Sequence, residues 1–535
     1  MIKQNRTEQN TVVVLVALYR YLNFPIRIMH SLLENIEGIK PYVIFYENYD
    51  TNVFKVPTDI EEDLFVNKII DLNPRLVGIS VLSPYVPIAK RLTKLIRDNS
   101  SALVIWGGVH PTICPESCIK DSDIICVGEG EGAITDLVKH LRDEKEYLNI
   151  ENLWINNGND IIKNPMRSLI QDLDSLPFPS YGKDSFYFID SNRITKNDPT
   201  LLDSYLFIQS SRGCPYVCSY CVNSVLRPLF KNLGHYTRRR SVNNIIKEIK
   251  GNLDLFGNMK DYVSFIDEVF ANDESWLNEF ESIYKKEIGL PFSVEYNPKF
   301  MKSTMLNKLV NAGIHTINFG IQTGSDDIRN HIFHRPGKNN EIISIANEIA
   351  NYGVKIKCDL ILDNPYDTEE TLKNAISVLL KLPKPLFFNL FSLQYFPDYP
   401  LTQKAIKDGH IKVEDASVDS LMERTTRNWA FAPRLLPFDK KQMLQNIIWL
   451  IVWGHIRDRI VKYAVFNDSL GSNLCLNYMN FKAVVLGKIL GVGGIAWKHI
   501  WIRYLINGFK YILKGDIKSL YPKIRKRILI RRLKG

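Results

Sequence analysis

Three of the eight cysteines, Cys214, Cys218 and Cys221, stand within eight residues in the stretch SSRGCPYVCSYCVNS. The thiolate is the metal-ligating form of cysteine, and a CxxxCxxC array offers three soft donors from one loop. Structural zinc is the competing reading, but it takes four protein ligands, commonly as two CxxC pairs. No second pair follows here, since Cys358 and Cys475 are isolated. Three donors suit an iron–sulfur cubane in which one iron has no protein ligand and can bind a substrate or cofactor. The spacing of Cys114, Cys118 and Cys126 matches no cluster pattern, and these read as partly buried thiols.

The elements that must position the thiols show two successive α/β rhythms. From about residue 11 to 145, Val/Ile-rich runs (TVVVLVALY, KPYVIFYEN, RLVGISVLS, ALVIWGGVHPT, DIICVGEG) alternate with amphipathic stretches such as VPIAKRLTKLIRDN. Continuous apolar runs between helices predict a parallel sheet covered on both faces. Residues 1–145 are thus read as an α/β, doubly wound domain of the flavodoxin or Rossmann kind, with ligands at the carboxyl ends of its strands. Those ends carry Ser80, Ser83, Gly107, Gly108, His110, Gly128 and Gly130. Residues 146–200, rich in Asn, Asp, Ser and Pro, read as a linker with room for a small hairpin. From 201 to 400 six candidate strands (SYLFIQSS, YVSFID, FSVEY, TINFGIQ, KIKCDLIL, FFNLFSLQY) alternate with helices. They predict a partial (β/α)6 barrel with its site on the C-terminal face, and the cysteine array follows the first strand. Residues 401–535 read as helical. QMLQNIIWLIVWGHI and AVVLGKILGVGGIAW are each apolar over only about 15 residues, short of the roughly 20 that span a bilayer.

With Tyr220 just before the last cysteine of the array, the second segment resembles the radical S-adenosylmethionine (SAM) superfamily. The resemblance implies a [4Fe–4S] cluster on Cys214, Cys218 and Cys221 whose remaining iron chelates the amino and carboxylate groups of SAM. One electron from the cluster then cleaves the sulfonium to a 5′-deoxyadenosyl radical, which abstracts hydrogen from the substrate. It also implies which positions flank SAM. Asp267 and Glu268, in SFIDEVF, stand where the family holds the SAM ammonium. Gln322 and Thr323, in GIQTGS, stand in its ribose-binding stretch, with Gln322 where many members have Glu. LILDNPYDTEET matches the segment on the adenine side, and QYFPDYPL another recurrent stretch.

The first domain resembles the cobalamin-binding domain fused ahead of such barrels. Ser80-Val81-Leu82 fits its SxL element and Gly107-Gly108 its paired glycines, whose missing Cβ lets backbone approach a bulky ligand tail. GGVHPT, with His110, and VGEGE, with Gly128, Glu129 and Gly130, are typical of the fused subfamily. The family's lower-ligand motif DxHxxG is absent from the loop after the first strand, LYRYLNFPIRIMH. The resemblance therefore implies cobalamin without that histidine on cobalt, and His110 is read as a hydrogen-bonding loop residue.

Taken together, the resemblance implies a cobalamin-dependent radical SAM enzyme that methylates an unactivated carbon of an apolar or lipid-like small molecule. Cyclisation, oxidation or carbon–carbon coupling with the same cofactors is the alternative within the class. A non-catalytic metal- or lipid-binding scaffold is the alternative outside it. At 45% hydrophobic and 24% charged, the composition excludes wholesale disorder and a fibrous chain. The start, MIKQNRTEQN, is polar and the cysteines do not form a secreted framework, so a reducing cytoplasm is expected, with a flavodoxin or ferredoxin as electron donor. The net charge of +10 is concentrated at one end, where residues 481–535 hold 14 Lys/Arg and one acidic residue, Asp516. Trp497, Trp501, Tyr504, Phe509 and Tyr511 lie among these cations, a pattern expected of a helix resting on the anionic inner face of a membrane. Nucleic acid is the less favoured partner for such a tail.

Overall fold

The computed structural model of the protein describes residues 10–47, 54–158, 160–271, 273–384, 387–428, 430–434 and 439–490. Five parallel strands form the centre of the first domain: β1 Thr11–Leu18, β2 Ile39–Tyr46, β3 Leu76–Ser80, β4 Leu103–Gly107 and β5 Ile124–Cys126. Their order is β5-β4-β3-β1-β2, so the winding reverses between β1 and β3. At that switch point the two flanking loops diverge and leave a crevice at the carboxyl ends. β1 explains why the strands read as unbroken apolar runs. Val14, Val16 and Leu18 face a core with Phe65, Ile88 and Leu92, while Val13, Leu15 and Ala17 face another with Leu33, Leu137 and Leu141.

Residues 146–200 are more than the linker read from the sequence. β6 Leu153–Asn156 and β7 Ile161–Lys163 form an antiparallel hairpin beyond β5, and β8 Phe186–Asp190 and β9 Arg193–Thr195 form another beyond β2. The sheet thus has nine strands among the described residues. The strands are short, which hid them, yet Leu153 and Ile155 alternate inward, Phe186 and Ile189 are buried on opposite faces of the sheet, and both hairpins pair on open sheet edges.

The second sheet begins with β10 Tyr205–Ile208. A small antiparallel ladder of β11 Ser211–Arg212 and β12 Arg238–Arg239 flanks the cysteine loop. β13 Tyr262–Phe265, β14 Phe292–Tyr296, β15 Ile314–Gln322, β16 Lys355–Leu362 and β17 Phe387–Ser392 complete six parallel strands in sequential order. β10 and β17 remain edges, so the six-stranded barrel is partial, as expected from the sequence. Ile317, Phe319, Ile356, Leu360 and Leu390 pack outward on helix residues such as Leu309, Ile345 and Ile376. The alternate set, including Glu295, Asn318, Asp359 and Asn389, faces the concave side.

The C-terminal region is helical, and its helices bridge the two domains. Val418 and Met422, on helix Val418–Asn428, pack on the core of the first domain. Leu444, Ile447 and Ile448, on helix Lys440–Val452, join the core of the barrel. No helix among the described residues is long and apolar enough to cross a membrane. The basic tail read as a membrane-surface helix lies, from residue 491 on, outside the described residues.

Candidate functional site

The cysteine loop leaves β10 through a turn only glycine tolerates. Gly213 has φ +83, and a Cβ there would collide with the Tyr236 carbonyl. Beyond it the loop is held on the barrel by backbone: the Ser219 amide donates to the Phe333 carbonyl (2.9 Å) and the Leu401 amide to the Ser219 carbonyl (3.0 Å). Cys214 and Cys218 are 8% and 5% exposed, and Cys221 is half-buried. All three are free thiols. Burial pushes the Cys214 thiol up to about 12, with the neighbouring thiols adding to the shift. Coordination to a metal removes such a proton outright.

No three His, Cys, Asp or Glu side chains among the described residues converge on a single metal ion. A cubane carries its irons at separate corners, so three thiols from one loop can each take one of them. Two residues that sequence reasoning missed complete this wall. Arg335 brings Nη1 to 3.9 Å from Cys218 Sγ while its Nε donates to the Gly320 carbonyl (3.2 Å). Asn223 Nδ2 lies 3.6 Å from Cys221 Sγ, and Asn223 Oδ1 accepts from the Tyr236 hydroxyl (2.6 Å). Tyr220 sets its ring edge against Phe333, with centroids 5.0 Å apart.

The two carboxyls expected at the SAM ammonium have different roles. Asp267 is buried and accepts from the Ser210 hydroxyl (3.0 Å) and from that of Ser211. It braces the chain leading into the cysteine loop. Glu268 is open to solvent, and its charge is felt by Cys214, Cys221 and Tyr236. Desolvation by the surrounding walls raises its pKa, with Asp267 adding and Arg212 and Arg238 opposing. An ammonium group at this position would hold it ionised. Glu268→Gln is expected to weaken SAM binding about tenfold, the scale of one charge-assisted hydrogen bond, with the iron content unchanged. Equilibrium dialysis with labelled SAM measures it.

Gln322 sits at a bulge between β15 and β16 with φ +66, and its buried Oε1 has no partner. It is available to a ligand hydroxyl. Thr323 beside it is buried, and its hydroxyl accepts from the Ser325 amide (3.2 Å). Deeper on the concave face, Asn318 donates to Glu295 (2.8 Å) and Asn389 to Asp359 (2.7 Å). Burial raises the Glu295 carboxyl to about 7, with Asp359 adding, so it can exchange a proton near neutral pH. A lone carboxylate in the strand FSVEY was the available signal.

At the crevice of the first domain, Gly108 has φ +106 and its missing Cβ lies 3.0 Å from the Val81 carbonyl oxygen, so the SxL segment and the paired glycines touch. Ser80 accepts from Asn23 Nδ2 (3.0 Å), and Leu82 is half-exposed. A Cβ on Gly107 meets nothing nearer than 3.8 Å, so its cradle is open and suits a nucleotide-like tail. Gly107→Leu fills that space and is expected to abolish cobalamin retention while leaving the iron content intact, as cobalt and iron counts on one sample will report.

Four other residues expected at the cofactor have different partners. His110 is buried with Nδ1 3.0 Å from the Ser83 hydroxyl, and burial lowers its pKa to about 4. Gly128 has φ +99 and lets Phe230 of the barrel approach, and Gly130 accommodates Met29. Glu129 accepts from Arg212 (3.0 Å) and Arg238 (2.9 Å), and Glu131 also accepts from Arg212 (2.5 Å). VGEGE thus packs against the cysteine loop rather than into the crevice. The glycines signalled close approach, at Gly128 by Phe230 of the neighbouring domain and at Gly130 by Met29 of their own. His30, the one histidine in the stretch after β1, is buried between the Ser180 and Ser185 hydroxyls (3.0 and 2.9 Å).

Comparisons agree with this geometry. The B12 binding domain family matches residues 10–138, and the Radical SAM superfamily matches residues 208–379. The uncharacterized methyltransferase PH0819 of Pyrococcus horikoshii is 25% identical over 342 residues, 61% of this chain and 70% of the relative. Bacteriochlorophyllide d C-8(2)-methyltransferase of Chlorobaculum tepidum is 22% identical, over 71% of this chain and 78% of the relative. Among solved structures, the cobalamin-dependent SAM radical enzyme OxsB, with aqua-cobalamin and SAM bound, superposes with a TM-score of 0.61 at 15% identity. That match covers 95% of this chain and 81% of OxsB, and it speaks to the fold.

Proposed function

From the premise that this chain is a radical SAM enzyme carrying a B12-binding domain ahead of its barrel, we propose that it methylates an unactivated carbon of a small molecule. One observation carries the reading. Arg212, two residues before Cys214, is held by Glu129 and Glu131 of the first domain, so the cysteine loop and the crevice domain are locked around one cleft. When bound, the cluster and SAM supply a hydrogen-abstracting radical and cobalamin supplies the methyl group. This chain's residues do the rest. Cys214, Cys218 and Cys221 hold the cluster, Glu268 orients the SAM ammonium and Gln322 meets its ribose. Gly107 and Gly108 admit the cobalamin tail. Cobalt is expected to carry no DxHxxG-type histidine, because the one histidine in the stretch after β1, His30, is buried with both ring nitrogens on serine hydroxyls.

The substrate is read as having an apolar body, the reductant as a flavodoxin or ferredoxin, and the compartment as cytoplasm. Contact with an anionic membrane through 481–535 belongs to the same reading. The test begins with anaerobic reconstitution, where about four iron and one cobalt per chain are expected. Methyl-deuterated SAM should then give a product three mass units heavier than that from ordinary SAM (about 3 Da). A product without the label would replace methylation by cyclisation or oxidation.

A further inference from the structure

A cavity of about 340 Å³ opens where β16 and β17 end and the C-terminal helices begin. Its walls are polar, with Asn364 after β16, Ser392 at the end of β17, and Arg424, Arg434 and Lys441 from the C-terminal region. Ligands of α/β sheets sit at the carboxyl ends of the strands, and this cavity occupies that place in the barrel.

Each carboxylate in the wall is already committed. Asp363 pairs with Arg434, Asp367 accepts from the Thr371 hydroxyl (3.0 Å), and Asp439 caps its helix by accepting from the Lys441 amide (3.0 Å). The groups left without partners include donors. Asn364 and Ser392 are only 4% and 6% exposed, and among the described residues Ser392 Oγ and Arg424 Nε have no hydrogen-bond partner, while Asn364 Nδ2 makes no full hydrogen bond and has only the nearby Asp367 carboxyl. Arg424 lies over the Tyr395 ring at 5.3 Å and spends one guanidinium nitrogen on the Asp415 carbonyl. Buried donors require acceptors, which suits the cavity to an oxygen-rich group, and the guanidinium favours an anionic one.

The position ties the cavity to both reaction partners. Arg424 rides on the helix whose Val418 and Met422 dock on the first domain. Leu393 and Tyr395 share an apolar cluster with Tyr220 of the cysteine loop. A few residues on, Asp398 accepts from the Cys114 thiol of the first domain (3.3 Å). One continuous wall therefore runs from the cavity past the cluster loop to the crevice domain.

We propose that this cavity seats the anionic end of the substrate, a carboxylate or phosphoryl group, with Arg424, Asn364 and Ser392 as its donors. The inference rests on the enzymatic reading above and narrows it, since an apolar body would then extend from an anchored head toward the cluster.

The test is calorimetric titration of the reconstituted holoenzyme with inorganic phosphate and, separately, acetate. Binding of at least one probe is expected, weakened at least tenfold in Arg424→Gln and in Asn364→Ala. Tighter phosphate assigns a phosphoryl head, and tighter acetate a carboxylate. Absence of binding, equal binding in the variants, or displacement of the probe by SAM alone overturns the proposal, the last by giving the cavity to SAM. Ser392→Ala serves where Arg424→Gln does not fold. Iron and cobalt counts on the same samples separate the outcomes, because a holoenzyme that lacks either metal refutes the enzymatic reading, whereas a complete one that ignores both anions refutes only this proposal.

Discussion

Cys221→Ala is expected to reduce SAM cleavage to the rate without enzyme and to prevent a full iron complement from being retained. The effect should be total because nothing nearby can replace the lost thiolate. Cys358 lies on the helix-facing side of β16, buried in the barrel core. Cys114, Cys118 and Cys126 belong to the first domain, where Cys118 and Cys126 are buried. Two thiolates and an open corner do not hold a cubane that already leaves one iron to SAM. Cys214→Ala and Cys218→Ala should behave alike. Anaerobic detection of 5′-deoxyadenosine beside an iron count measures it, and cleavage retained in any one of the three would remove the cluster from these residues.

Glu129→Ala should cost about 3–5 kcal/mol, the range found when one partner of a buried ion pair is deleted. The carboxylate satisfies Arg212 and Arg238 together and also accepts from the Ile170 amide (2.8 Å). Arg212 would keep Glu131, but Arg238 would retain only carbonyl contacts in a buried setting. Because Arg212 leads directly into the cysteine loop, a loosened cluster spectrum should accompany the lost stability. The pH dependence has a definite sign. The arginines hold the Glu129 carboxyl below its ordinary value of about 4.5. Its contribution is therefore present above that value and lost as pH falls through the lower one. Unfolding of wild type and variant, compared from neutral to acidic pH, should show the gap closing below about 4.5. A constant gap would mean that packing, not charge, joins the domains.

Alanine at Glu268, by contrast, is not expected to unfold anything, since that carboxyl is exposed and supports no neighbour by a hydrogen bond among those described. The contrast separates two glutamates that look alike as letters. Glu129 joins the two domains by ion pairs, and Glu268 is the carboxyl proposed to meet the SAM ammonium.

Local features were legible in the residues alone. The cysteine array needs only one loop, so spacing was enough to indicate its chemistry. Unbroken apolar runs such as β1 were enough to indicate a sheet covered on both faces, because burial on both faces leaves no polar alternation. Gly107 and Gly108 stood out at the carboxyl end of a strand, but the strand order that opens the crevice beside them came only with the tertiary structure. Pairings across distance were not legible. Nothing in the letters joins Glu129 to Arg212, 83 residues away, or brings Arg335 within 3.9 Å of Cys218, 117 residues away. The hairpins of 146–200 are strands only because an open sheet edge offers them partners. The unsatisfied donors of Asn364, Ser392 and Arg424 come from three separate segments. Periodicity records which side of an element is buried, but only the packed chain decides what covers that side, and the domain-joining ion pairs and the cavity both depend on it.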